Sequence, residues 1–91
     1  MDKKQAVAEV IKRYKDEHGL TWDGLAEAIN WTINLESQVS RSQVNNWGVG
    51  VGTPEYYFTV HLAMQGEDWV QNMALDILAV MKPELWGKNN A

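Results

Sequence analysis

Apolar residues recur along this chain with the period of helices. Ala6, Val7, Val10, Ile11 and Tyr14 make a stripe at 3.6-residue spacing, which predicts a first helix over about Lys4 to Glu17. His18-Gly19 ends it, glycine being the usual residue past a helix C-terminus. Thr21 caps a second helix that buries Trp22, Leu25, Ala26 and Ile29. Gly24 within it either weakens the helix or permits a close approach to a neighbouring backbone. Trp31, Ile33 and Leu35 alternate with polar residues, which hints at a short extended segment.

Ser40 caps a third, short helix by accepting a hydrogen bond from a free backbone N–H. Val44 and Trp47, three apart, share its buried face. Gly48, Gly50 and Gly52 interrupt the helical pattern. Thr53-Pro54-Glu55 then opens a fourth helix with a cap, a proline at the first position and an acid in the first turn. Tyr57, Phe58, Val60, Leu62 and Met64 make it apolar over much of its circumference, so it is central. Gly66 closes it. A fifth helix runs from about Glu67 to Lys82, before Pro83. It carries apolar residues at 69, 70, 73, 74, 77, 78, 80 and 81, wider than the stripe that faces a core. The surplus calls for a cover: a second subunit, or Leu85 and Trp86 folding back. The tail from Gly87 reads as frayed. The fold class is therefore all-α, a compact bundle of about five short helices in a single domain over residues 1–91.

The third helix carries the candidate chemistry. Arg41, Ser42, Gln43, Asn45 and Asn46 lie mostly away from its apolar back, and such side chains hold the donors and acceptors that read base edges in a major groove. The bland alternative for them is a solvated helix face. Leu20-Thr21-Trp22-Asp23-Gly24-Leu25-Ala26-Glu27-Ala28-Ile29, followed by Val39-Ser40-Arg41-Ser42-Gln43-Val44-Asn45-Asn46-Trp47, resembles the two motif helices of the phage-repressor and Cro-like (lambda-repressor-like, Xre-type) helix-turn-helix regulators. The resemblance covers roughly residues 6 to 65, with the motif at about 21–48. It implies a sequence-specific, DNA-binding transcriptional regulator of phage or mobile-element type. It also implies a cytoplasmic homodimer on a two-fold operator, joined through the C-terminal helix, with the third helix in the major groove. One departure stands out. Ile29 and Val39 are ten positions apart, so residues 30–38 are an insertion between the motif helices, or the second helix runs on into them.

Charge pulls the other way. The net charge is −4 at pH 7, whereas DNA-binding domains usually carry a basic footprint. Most basic residues precede Gly48, but Asp16, Glu17, Asp23, Glu27 and Glu36 lie in the same half. Lys12, Arg13 and Lys15 are candidate phosphate contacts or simply an exposed basic face. The acidity and the insertion support an alternative, a small acidic protein-binding adaptor or phage-encoded inhibitor on the same scaffold. Trp31 and Trp86, in the least regular segments, are its best contact residues.

Other classes find little support. There is no cysteine, hence no disulfide or thiolate metal site. No apolar run approaches the ~20 residues of a membrane span. His18 and His61 lack ligand-spaced partners, and the glycines at 48, 50 and 52 lack the strand that a nucleotide-binding fingerprint needs. No cofactor, metal, small-molecule substrate or catalytic residue is expected.

Overall fold

The computed structural model describes residues 2–32, 38–66 and 68–87. Among these the chain is all-helical, with six helices: α1 Lys3–Glu17, α2 Trp22–Thr32, α3 Arg41–Gly48, α4 Tyr56–Gln65, α5 Asp68–Met81 and α6 Pro83–Trp86. The radius of gyration, 12.2 Å, is that of a close-packed chain of this length.

Each helix start has a local cause. The Asp2 side chain accepts from the Gln5 N–H at 2.9 Å and caps α1. Thr21 Oγ1 does the same for the Gly24 N–H at 3.0 Å and starts α2 as expected. The fourth helix begins later than Thr53-Pro54 predicts. Glu55 is its N-cap, its carboxylate accepting from the N–H groups of Phe58 at 3.0 Å and Tyr57 at 3.3 Å. A carboxylate that takes two free helix N–H groups is a stronger cap than the hydroxyl of Thr53, which settles the boundary.

Two helix ends are built alike. After α1, Gly19 adopts φ +61° while its N–H reaches the Asp16 carbonyl and the Leu20 N–H reaches that of Lys15. After α3, Gly50 adopts φ +83°, its N–H reaches the Trp47 carbonyl and the Val51 N–H that of Asn46. Both are the left-handed closure in which two crossed hydrogen bonds satisfy the last carbonyls. At Gly50 the positive φ is what requires glycine, since a Cβ there would meet only the end of the flexible, exposed Gln5 side chain.

The core gathers one stripe from each long helix. Val7 and Ile11 of α1, Leu25 and Ile29 of α2, Val44 of α3, Leu62 of α4 and Val70, Met73, Ile77 and Leu78 of α5 form one buried cluster. α4 is less enclosed than its composition predicts, because Tyr57 and Met64 are exposed. At the edge of the core, Tyr14 donates to Asp76 at 2.6 Å and Arg13 pairs with the same carboxylate at 3.0 Å, tying α1 to α5. Burial, and then Asp76, raise the Tyr14 pKa above its ordinary 10.0. Lys3 Nζ donates to the Met81 carbonyl at 2.9 Å, at the C-terminal end of α5.

The segment after Pro83 is helical, which adds a sixth helix to the five expected. Proline opens α6 at its first turn, and α6 packs on α5. Trp86 joins the margin of the core and its indole N–H donates to the Tyr56 hydroxyl at 3.1 Å. Of the two covers weighed for the surplus apolar surface of α5, this is the fold-back one, although Leu85 itself stays exposed. No helix among the described residues is long and apolar enough to cross a membrane.

Candidate nucleic-acid interface

α3 is too short to be stable alone and takes its position from its neighbours. Its buried positions are Val44 and Gly48, four apart on one face. Gly48 belongs to the helix rather than to the loop that the run of glycines predicts. A Cβ at Gly48 would overlap Cη2 of Trp22, so the missing side chain is what lets the Trp22 ring of α2 lie against α3. Trp47 packs on the other side against Phe58 of α4, ring centroids 6.1 Å apart. Val44, Gly48 and Trp47 thus sit on the back of α3, which packs against α1 and α2, with Trp47 reaching Phe58 of α4.

The front end is held by hydrogen bonds. The Asn30 side chain grips the backbone of Val39 at both groups: Nδ2 donates to the Val39 carbonyl and Oδ1 accepts the Val39 N–H, each at 2.9 Å. The amide acts as a short piece of neighbouring strand would. It sets Val39 beside α2 and so fixes where the chain enters α3. Of the insertion expected at 30–38, Asn30, Trp31 and Thr32 continue α2. Trp31 is therefore helical rather than extended, and it is 84% exposed. Ile33 and Leu35, which completed the alternating pattern, lie outside the described residues.

Next along the chain, Ser40 and Gln43 form a capping box. Ser40 Oγ accepts the Gln43 N–H at 3.2 Å, and the Gln43 side-chain oxygen accepts the Ser40 N–H at 2.9 Å. The sequence spells this as Ser-x-x-Gln ahead of an apolar residue.

The five candidate residues separate by position. At about 100° per residue, Asn46 lies opposite the Val44–Gly48 back, with Ser42 and Gln43 to either side of it. All three are exposed. Arg41 turns toward α2, where its Nε lies 3.8 Å from Asp23 Oδ1, and Asn45 is half-buried. The Arg41–Asp23 pair is exposed on both sides and worth little energetically, but it places an acid beside the cation that a phosphate would use. Elsewhere, Lys12 is exposed, Arg13 is paired with Asp76 on α5, and Lys15 lies beside Asp16 with its ammonium 4.8 Å from the Trp22 ring. His18 stacks on Trp69 at 4.3 Å.

Sequence reasoning did not find Asn30 or the role of Gly48. Both act through contacts with residues distant in the chain, which leave no local pattern. The chain matches no protein-family model, no curated protein and no solved structure.

Proposed function

We propose that this chain is a sequence-specific DNA-binding regulator of the helix-turn-helix type, with α3 in the major groove. The observation that carries the reading is the outer face of α3: Ser42, Gln43 and Asn46 together, exposed, hydrogen-bonding and uncharged, on a helix whose back packs against α1 and α2. Ser42, Gln43 and Asn46 meet base edges. Arg41 and Asn45, turned to the α2 side, meet phosphate or sugar. A net charge of −4 leaves little general attraction for DNA, so affinity rests on base contacts and on two copies binding a two-fold site. The two copies meet through the C-terminal end of the chain. Within that end, Val80 is half-buried against the core and Leu85 of α6 is exposed.

The test is selection from a randomised duplex library at low salt, followed by a salt titration. The expected result is an inverted repeat with half-sites about 10 base pairs apart or a multiple of that. Affinity should fall only shallowly with salt, since few cations face phosphate. No enriched sequence overturns the reading.

A second reading has its own observation. Trp31, Glu27 and Thr32 of α2, with Asp68 and Trp69 of α5, line an open concavity of about 650 Å³ beside the insertion. An exposed tryptophan next to carboxylates suits a basic protein partner, as an acidic adaptor or a phage-encoded inhibitor would need. Retention of binding by Trp31→Ala in the library selection separates the two readings.

A further inference from the structure

Gln43 and Asn46 are both side-chain amides on the outer face of α3, but they do not offer the same atoms. The Gln43 oxygen is turned back to the start of the helix, where it accepts the Ser40 N–H at 2.9 Å. Ser40 in turn follows Val39, whose N–H and carbonyl are both held by Asn30. An unbroken series of hydrogen bonds therefore runs from the C-terminal part of α2, through the backbone of residues 39 and 40, to the side chain of Gln43. What remains to Gln43 is its NH₂ group. Asn46 is exposed and has no side-chain hydrogen bond among the described residues, so its oxygen and its NH₂ are both available.

The distinction matters for reading bases. Adenine is recognised by an amide that accepts from N6 and donates to N7 at once, with both atoms in the plane of the base edge. An amide whose oxygen points at its own helix cap cannot lie in that plane. It can still donate to an edge that shows only acceptors, which in the major groove means guanine N7 and O6 or thymine O4.

We propose that the capping box makes Gln43 a donor-only reader, selecting guanine or thymine, while Asn46 is the adenine-reading amide. This rests on the DNA-binding reading above, and it makes Asn30 and Ser40 positioning residues for specificity.

The substitution that isolates the effect is Gln43→Glu. Glutamate serves the capping box as well as glutamine does, yet replaces the outward NH₂ by an acceptor oxygen. The measurement is the relative affinity of one protein for duplexes varied at the single base whose preference disappears in Gln43→Ala. Added charge weakens binding to every duplex alike and cancels in that ratio. Wild-type protein is expected to prefer guanine or thymine there, and Gln43→Glu to reverse the preference toward cytosine, whose N4 donates, by roughly 5- to 150-fold. A wild-type adenine preference at that base overturns the donor-only assignment while leaving DNA binding intact. A library that yields no enriched sequence overturns the function and this assignment together. The lock also has a readout without DNA. Gln43→Ala should lower Tm by about 4–8 °C while Gln43→Glu keeps it. An unchanged Tm in Gln43→Ala overturns the lock whatever the DNA result.

Discussion

The joint between α2 and α3 and the block formed by α4, α5 and α6 are held by different forces. In the block, area does the work: Leu62, Met73, Ile77 and Leu78 are at most 2% exposed, and the hydrogen bonds reaching between its helices are peripheral, such as Trp86 to Tyr56. At the joint, α3 has eight residues and two buried positions, Val44 and Gly48. Its orientation depends on packing against α1 and α2, with the Trp22 ring over Gly48, and on two directional contacts, Asn30 on Val39 and Ser40 with Gln43. Apolar packing is strong and tolerates small rearrangement, whereas hydrogen bonds fix angles at modest energy. A short helix whose outer side chains are to keep one register gains more from the second kind. The contrast is physical and holds whatever the partner is.

The largest effect should come from the block. Leu78 is fully buried near the C-terminal end of α5, and Leu78→Ala should cost about 2–5 kcal/mol in a denaturant titration, through lost burial and the cavity left behind. A loss well under 1 kcal/mol would mean that the block is not what carries the stability.

Asn30 tests the joint. Asn30→Ala removes both bonds to Val39, whose backbone groups are then half-buried without a protein partner, and should cost about 1–3 kcal/mol. Asn30→Asp is the sharper variant. It keeps the acceptor for the Val39 N–H but turns an acceptor toward the Val39 carbonyl. It should therefore fail to rescue, with thermal unfolding as the measurement. Full rescue by aspartate would show that the amide donor is unimportant and that the clamp does not set the joint.

The long helices were more legible than the joint. Helical periodicity located α1, α2, α4 and α5 to within a few residues, because apolar burial writes a repeating pattern: Val7 and Ile11, Leu25 and Ile29, Ile77 and Leu78 were all foreseeable as core. Its failures were local contests. Glu55 outcompeted Thr53 for the cap of α4, and Pro83 opened α6 instead of merely ending α5. At the joint, the polar residues Arg41, Ser42, Gln43, Asn45 and Asn46 were visible as a group, but not their division into an outer face and a flank turned to Asp23. The clamp by Asn30 reaches nine residues along the chain, and the Trp22–Gly48 approach reaches twenty-six, so neither has a periodic trace. Ser40-x-x-Gln43 was written plainly as a capping box, and only the cap half of it was used.

The smallest effect asks whether the joint needs both of its helical glycines. Gly48 is fixed by the Trp22 ring, but Gly24 of α2 is different. The nearest atoms a Cβ there would meet are Leu20 Cδ2 and Thr21 Oγ1, both at 3.4 Å, and Leu20 Cβ at 3.6 Å, which is ordinary contact, and its φ is not positive. The close backbone approach that Gly24 offered in the sequence is therefore not used. Glycine inside a helix costs about 0.5–1 kcal/mol relative to alanine, because the unfolded chain has more conformations to lose. Gly24→Ala should raise stability by about that amount, with Tm climbing a few degrees. Thr21 can still cap the backbone N–H of residue 24, since the new methyl leaves that group in place. If Gly24→Ala instead destabilises the fold, α2 packs more tightly near its cap than the 3.4 Å contacts allow, and the joint is held by steric fit at that end as well as at Gly48.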